Sequence, residues 1–513
     1  VTTPAFQLGK DRLDTATLVR LARQPAPSLA VGEDVEQRAR AYRARIDEVL
    51  RSSSRVYGIN TGFGFLADVA IAKDKLQELQ INLVRSHACG VGEPLADEPV
   101  RGLLILRAHT FLLGHSAVRW ETVQAVLSFI EHDILPVIPC QGSVGASGDL
   151  APLAHLALGL MGEGEVRYRG ERQPAGEVLR RLGLKPLIPE AKEGLSLING
   201  THFMTTIAAF AVEEAKTLVV AADASASLSL DAVRGTLRAF DPRIQDVRGQ
   251  SGQKLVAANI RALFAGRDGI VESHKDCSKV QDPYSFRCVP QVHGATRDAL
   301  AHVQRVVDQE LNAVTDNPLV FEDGDVISGG NFHGQPIAIV MDFLAIAVAE
   351  LGSIAERRIE KITNPHLSGL PAFATRDSGL NSGFMIPHVV AAALVSENKI
   401  LCHPASVDSI PTSADKEDHV SMGPIAARKA REIIRNVRRI LAIELLAACQ
   451  GVDLLAPLRP APALERLYGA VREQAPLMEK DRSLAGEIES VARWLEGGGV
   501  AATVAAAGVP LQS

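Results

Sequence analysis

Gly142-Ser143-Val144-Gly145-Ala146-Ser147-Gly148-Asp149-Leu150-Ala151-Pro152-Leu153 is the stretch on which the reading of this chain turns. Its first half is made of residues with little or no side chain, so the backbone there can fold unusually tightly. Its second half opens a helix: Asp149 stands where a capping residue stands, and Pro152 falls in the first turn, where a missing amide proton costs little. Glycine-rich loops ahead of helices are commonly turns or phosphate cradles. The glycine spacing is not a dinucleotide fingerprint, and no Gly-Lys-Ser or Gly-Lys-Thr follows. Gly148 comes directly after Ser147, which rules out the Gly-x-Ser-x-Gly elbow of hydrolases. Residues this small would let the backbone fold tightly enough for the Gly148 amide nitrogen to meet the carbonyl carbon of Ala146.

The chain around this loop reads as mainly helical. At 513 residues it has ample length for a large core, and its 46% hydrophobic and 22% charged residues are ordinary for a globular protein. Aromatic residues are only 4% while alanine and leucine abound, a composition that favours packed helices over strands. Helical patterns run over 36–53, 73–91, 99–113 and 121–132, with a loop bearing Gly58, Gly62 and Gly64 between the first two. Residues 165–172 alternate around a glycine as a small hairpin does. From Gly200 onward long helices dominate, over 201–230, 291–314, 335–362, 385–401 and 424–449, and helices of this length usually align in a bundle. The expectation is a mainly α fold: an N-terminal lobe over 1–199 carrying the Ser147 loop, and a long helical bundle over 200–513. The Gly- and Ala-rich tail after Glu496 is expected to fray.

The formal net charge of −6 gives no basic footprint for nucleic acid or an anionic membrane. Asp342, Glu350 and Glu213-Glu214 interrupt the most apolar helices too early for a membrane span. The six cysteines form no Cys-x-x-Cys pair and are too sparse for a disulfide framework. No cationic-then-apolar leader opens the sequence. Together these point to the cytoplasm. The fourteen histidines are scattered without His-Glu-x-x-His spacing or a Cys/His cluster, so no metal site is expected, and His333 and His419 read as structural.

Six further segments accompany the Ser147 loop: Val56-Tyr57-Gly58-Ile59-Asn60-Thr61-Gly62-Phe63-Gly64, Asn82-Leu83-Val84-Arg85-Ser86-His87, Leu197-Ile198-Asn199-Gly200-Thr201, Gln281-Asp282-Pro283-Tyr284-Ser285-Phe286-Arg287-Cys288, Gly330-Asn331-Phe332-His333-Gly334 and Glu417-Asp418-His419-Val420-Ser421-Met422. In this order, over nearly the whole chain, they resemble the aromatic amino-acid ammonia-lyases, and within that family its histidine branch. The resemblance implies that Ala146, Ser147 and Gly148 condense, with loss of two waters, into a methylidene-imidazolone (MIO), an electrophile that no ordinary side chain provides. It implies removal of ammonia from L-histidine to give trans-urocanate, the opening step of histidine degradation, with no external cofactor. The electrophile takes the amine covalently or draws electrons from the substrate ring; the first serves phenyl and imidazolyl substrates alike. A homotetramer with sites shared between chains is also implied.

The same resemblance assigns roles. Tyr57 is the base that takes the β-proton, although a free phenol with a pKa of about 10 must first be made more acidic by its surroundings. Arg287 grips the substrate carboxylate with its planar fork. Asn199, otherwise a natural helix cap, lies near that carboxylate and the MIO carbonyl. Gln281 and Tyr284 line the pocket, Tyr284 positioning or polarising the MIO ring, and Phe332 packs on substrate or MIO. The helix after Asp149 would turn its positive end toward the ring. His87 and Glu417 set selectivity. In tyrosine-specific relatives the histidine falls one step earlier, where this chain has Ser86, and many phenylalanine-specific relatives carry glutamine in place of Glu417. A carboxylate beside an imidazole accepts its ring N–H, whereas one facing a phenyl ring is buried without a partner.

Tyrosine or phenylalanine ammonia-lyases and aminomutases of the family are the nearest alternatives, and His87 with Glu417 argues against the first two. The helical fumarase and argininosuccinate-lyase class carries a Gly-Ser-Ser-x-Met-Pro loop that this sequence lacks. A scaffold that had lost its chemistry would not be expected to retain Tyr57, Asn199, Arg287 and Glu417 together.

Overall fold

The structure, a computed structural model, describes residues 4–51, 56, 59, 61, 71–266, 269–277 and 279–513. It is mainly α-helical, with a few short strands. Tyr57 and the glycines expected in the loop at 58, 62 and 64 lie outside the described residues.

The chain forms two compact units, each assembled from three stretches: Val1–Phe210, Gln304–Met341 and Pro404–Arg428 in the first, and Ala211–Val303, Asp342–His403 and Lys429–Ser513 in the second. The expectation had two consecutive lobes divided at 199. The first dividing point instead follows Phe210, inside the continuous His202–Ala232 helix.

In the first unit the Asp97–Leu112 helix is buried along its whole length from Pro99 onward, and it packs against Thr15–Ala22 and Trp120–Glu131. A helix so enclosed is hydrophobic nearly all round, and the polar groups it carries beyond its exposed first turn, among them Arg101, Arg107 and His109, are buried and must find partners. The pattern over 73–91 gives a 3-10 turn, Lys73–Lys75, then a helix that stops at His87. Gly90, Gly92 and Pro94 disfavour helix, and Val91–Pro94 is a strand paired antiparallel with Pro139–Gln141. That second strand delivers the chain into the Gly142 loop. The expected hairpin is present as Glu165–Tyr168 paired with Glu171–Pro174, and Leu135–Pro136 adds a third strand. Its two-residue turn, Arg169-Gly170, has φ of +54° and +80°, the left-handed pair that matches strand twist.

The long helices run His202–Ala232, Val289–Glu310, Gln335–Thr363, Met385–Leu401 and Gly423–Leu454, close to the expected ranges. Gln335–Thr363 contains an 18-residue window of mean hydropathy 2.1, so by length and composition it is apolar enough to cross a membrane, and Asp342 and Glu350 do not break it. In the folded chain 61% of that window is buried, as in a core helix. The tail does not fray as expected. Gly499–Ala506 is a helix whose Val500 and Val504 are buried, and it packs on Pro462–Gln474 and Ala485–Glu496. Alanine and valine there have both helix-forming capacity and an apolar surface to cover.

One backbone contact in the first unit fixes where the Ser147 loop lies. Gly148 and Gly200 pair as a one-residue parallel bridge: the Asp149 N–H donates to the Gly200 carbonyl at 2.8 Å, and the Gly200 N–H donates to the Ser147 carbonyl at 3.1 Å. Gly200 has φ +106°, and a Cβ on it would stand 2.8 Å from both His202 Cε1 and Thr315 Oγ1. A side chain there meets a backbone conformation closed to it and too little room. Gly200→Ala is therefore expected to lower unfolding free energy by about 1–3 kcal/mol, read as a lower urea midpoint at unchanged slope.

Candidate active site

The helix Leu76–His87 ends in the first unit beside a cavity of about 690 Å3. The cavity is lined by His87, Ala146, Ser147, Leu150, Asn199, Phe332 and Glu417, together with His333 and His419. These residues come from five separated sequence segments, and the structure brings them together.

Ala146 and Ser147 are bracketed by two glycines with positive φ, Gly145 at +71° and Gly148 at +75°. A Cβ on Gly148 would stand 2.1 Å from the Gly200 carbonyl oxygen, so only glycine fits there. The Ser147 loop is docked on the segment that carries Glu417. The Met422 N–H donates to the Val144 carbonyl at 2.8 Å, and Ser421 Oγ donates to the Gly145 carbonyl at 3.2 Å. Ala146, Val420 and Met422 pack in one apolar cluster. Across this junction Ser147 Oγ donates to Glu417 Oε1 at 3.2 Å, and Thr412 Oγ1 donates to Glu417 Oε2 at 2.7 Å.

His87 Nδ1 lies 2.8 Å from the Leu83 carbonyl oxygen. A carbonyl only accepts, so Nδ1 carries a ring proton, and in the neutral tautomer that this contact selects the lone pair is on Nε2. Asn199 follows the Glu193–Ile198 helix and is almost fully buried. Its Nδ2 donates to Asp316 Oδ1 at 3.1 Å and to the Asn317 carbonyl at 3.4 Å. Two acceptors on one side fix the amide orientation and leave Oδ1 without a hydrogen-bond partner among the described residues. The atom Asn199 has to spare is thus an acceptor, which suits an N–H group better than a carboxylate.

The network behind Asn199 has almost no signature in the sequence. Lys192 Nζ, fully buried, donates to Asp316 Oδ2 at 3.1 Å, to Ser196 Oγ at 2.8 Å and to the Ser116 carbonyl at 3.0 Å. Burial alone would raise the Asp316 carboxyl, but Lys192 and Arg107 outweigh it and hold the group below the usual carboxylate range. Asn317 Oδ1 accepts from Ser328 Oγ at 3.1 Å and from the Gly329 N–H at 2.8 Å, which ties the network to the loop carrying Phe332. Arg107 donates to the Asn199 carbonyl at 3.1 Å and lies 2.9 Å from His202 Nδ1. Burial pulls Arg107 down to about 10; burial first, then the Arg107 charge, holds His202 well below its ordinary value. Asp316-Asn317-Pro318 was the one sequence cue available, a polar triplet between helices; Lys192 offered none.

Asp149 occupies the N-cap position of the Leu150–Leu160 helix, yet its side chain makes no cap bond to that helix. Its Oδ2 accepts instead from the Met204 N–H at 3.0 Å, in the first turn of the His202 helix. The expected cap is therefore corrected: the carboxyl serves a different helix, because the Gly148–Gly200 bridge sets the two helix starts side by side. Burial raises Asp149 to about 8, against the lowering pull of the Met204 and Phe203 amides.

His333 and His419 stack on each other with ring centroids 5.4 Å apart. Among the described residues no group of three or more His, Cys, Asp or Glu side chains could hold a metal ion. Gln281, Tyr284 and Arg287 belong to the second unit. Asp282 Oδ2 accepts the Thr236 N–H at 2.6 Å and pins their loop, while Phe286 is buried beneath the four-residue Tyr284–Arg287 helix. Tyr284 is 71% exposed, and the Arg287 guanidinium lies 4.6 Å over its ring. Tyr57 lies outside the described residues.

Residues 13–473 match the family model described as aromatic amino acid lyase. Histidine ammonia-lyase of Symbiobacterium thermophilum is 50% identical over 509 residues, covering 99% of this chain and 100% of that protein. Among solved structures, histidine ammonia-lyase from Trypanosoma cruzi superposes with a TM-score of 0.90 at 47% identity, covering 98% of this chain and 95% of that one. Tyrosine aminomutase from Streptomyces globisporus superposes with a TM-score of 0.92 at 38% identity, covering 98% and 99%.

The Asp149 carboxyl gives a pH test of the site's interior. Its folded pKa is raised, so the folded state holds a proton that the unfolded state releases above about 4. Its contribution is fully present below about 4 and is lost as pH rises toward about 8. Asp149→Asn, which mimics the protonated acid, is expected to gain melting temperature relative to the parent across that interval. Parallel melting curves from pH 4 to 8 would contradict the burial argument.

Proposed function

The chain belongs to the aromatic amino acid lyase family, and from that premise we propose that it is a carbon–nitrogen lyase that eliminates ammonia from L-histidine to give trans-urocanate. The observation that carries the reading is the Glu417 carboxylate, held 3.2 Å from Ser147 Oγ in the same cavity that His87 lines. An anionic acceptor there matches an imidazole N–H and stabilises positive charge on that ring, whereas a phenyl ring would leave it without a partner.

The reaction is hard because the proton to be removed sits on the β-carbon, with no adjacent carbonyl to take up charge, and because the amine leaves poorly. The Ala146-Ser147-Gly148 loop fits a methylidene-imidazolone: left-handed glycines stand on either side of Ala146 and Ser147, and Gly148, which has no room for a Cβ against Gly200, leaves its backbone nitrogen unhindered by a side chain. Once formed, that group supplies the electrophile the elimination needs. The side chains do the rest. Glu417 accepts the substrate's ring N–H. His87 offers the Nε2 lone pair to substrate N–H groups. Asn199 Oδ1 accepts from the amino group and Arg287 pairs with the carboxylate. Phe332, Gln281 and Tyr284 shape the pocket, and Tyr57 takes the β-proton.

The working form we propose is a homotetramer whose sites draw on more than one copy. Two features support this. Tyr284, assigned to the pocket, is largely exposed in the single chain. The second unit also exposes Phe343 and Ile346 on one helix and Ile386, Val389 and Val390 on another, apolar area of the kind that subunits cover. None of the six cysteines is in a disulfide, which suits a reducing cytoplasm.

Incubation with L-histidine is expected to build urocanate absorbance, with L-tyrosine and L-phenylalanine giving far less. Intact active protein should weigh two waters less than its sequence. Ser147→Ala should retain the fold, lack that deficit and lose nearly all turnover; normal activity in this variant would end the proposal. Glu417→Gln should lower kcat/KM for histidine by about 10- to 100-fold, the worth of a charged hydrogen bond.

A further inference from the structure

We propose that Thr412 is the positioning residue that aims Glu417 at the substrate's imidazole, an inference that rests on the lyase reading above. Thr412 and Glu417 are the two ends of one turn. Their backbones pair in both directions, with the Thr412 N–H donating to the Glu417 carbonyl at 3.0 Å and the Glu417 N–H donating to the Thr412 carbonyl at 3.3 Å. The side chains add a third tie, Thr412 Oγ1 to Glu417 Oε2 at 2.7 Å.

The residues between need these ties. Ser413, Ala414 and Asp415 have φ of +52°, +51° and +63°, three consecutive side chains in the left-handed region that Cβ sterics disfavour. All three are exposed, so no core contact holds them there. The turn keeps its shape from its base and from one internal bond, the Lys416 N–H donating to the Ser413 carbonyl at 3.2 Å, and Glu417, only half-buried, would without the Thr412 hydroxyl swing among several rotamers on its two-carbon arm. Thr412 is β-branched and stiff about χ1, and its hydroxyl gives the carboxylate a short charge-assisted bond.

The consequence is a division of labour between the two carboxylate oxygens. Oε2 is committed to Thr412. Oε1 faces the Ser147 hydroxyl at 3.2 Å. When the Ser147 loop closes, that hydroxyl departs as water, and Oε1 loses its donor. Thr412 keeps its bond, so Glu417 stays in place with one oxygen free, and that oxygen takes the ring N–H of the incoming amino acid.

The test compares Thr412→Val, which keeps the shape and removes the hydroxyl, with Thr412→Ser, which keeps the hydroxyl, each made as the full-length enzyme. Mass and ring absorbance establish that the Ser147 loop has closed in both. Thr412→Val should raise KM for L-histidine about tenfold, with a smaller change in kcat, the size expected for one charged hydrogen bond. Thr412→Ser should stay within about threefold of the parent. Added to Glu417→Gln, Thr412→Val should cost less than about twofold more, because its action runs through that carboxylate. Unchanged kinetics in Thr412→Val would overturn the inference. So would a defect that serine does not rescue, or one that multiplies with Glu417→Gln. Should the valine variant prove less stable, the serine rescue and the double variant, read on folded enzyme, still decide. Absence of urocanate with the parent enzyme sinks the lyase reading itself; urocanate from the parent with no effect of Thr412→Val sinks only this proposal.

Discussion

Two glycine backbones meeting at 148 and 200 are the constraint from which the rest of the site follows. The bridge allows no Cβ on Gly148, since one would lie 2.1 Å from the Gly200 carbonyl oxygen. It sets the start of the Leu150 helix against the start of the His202 helix, and so decides that the Asp149 carboxyl meets the Met204 amide rather than an amide of its own helix. It also puts Ser147 and Asn199, neighbours of the two glycines, into one cavity lining. A close approach of main chains is a more exact locator than any side-chain contact, because peptide planes have no rotamers to average over.

Behind that bridge the first unit carries more buried charge than a helical protein of ordinary composition needs. Lys192, Asp316 and Arg107 are all enclosed, and each would be costly alone. They are tolerated as a network. Asp316 serves Lys192 and Ser196 with one oxygen and Asn199 with the other, and Arg107 serves the Asn199 carbonyl. Apolar side chains could fill the same space, but they would leave the Asn199 amide free to turn over. Fixed partners on its nitrogen side commit it to presenting oxygen, and a site that must tell a donor from an acceptor gains from that commitment.

Much of this was legible beforehand, for identifiable reasons. The long helices announce themselves by apolar spacing, and the hairpin by its alternation around Gly170. The Ser147 loop, His87, Asn199, Phe332 and Glu417 were found through ordered motifs, and they do share one cavity. What stayed hidden depends on tertiary register. Asp149 has the look of a cap, and local sequence cannot say which helix it caps. Lys192 reads as a surface lysine and is fully buried. Thr412 sits in a polar stretch whose residues all read as solvated, and only the folded turn reveals its bond to Glu417. The tail after Glu496 looked too rich in glycine to order; two buried valines anchor its helix.

The two sides of the cavity are built on different physics. Asn199 is held by enclosed ion pairs and main-chain bonds, where burial weakens the competition from solvent and electrostatic interactions are strong. Glu417 is held from an exposed turn whose ties are a backbone pair and one hydroxyl, where solvent competes for every bond. Groups that handle atoms common to every amino acid belong on the first kind of support, since those atoms never change position. Groups that read the side chain belong on the second, where one substitution in a turn alters the partner offered without disturbing the network beneath. On the roles proposed for Glu417 and Asn199, selectivity is the separable property of this site: Glu417 and its tie can change while Ser147, Asn199 and the Gly148–Gly200 bridge remain as they are.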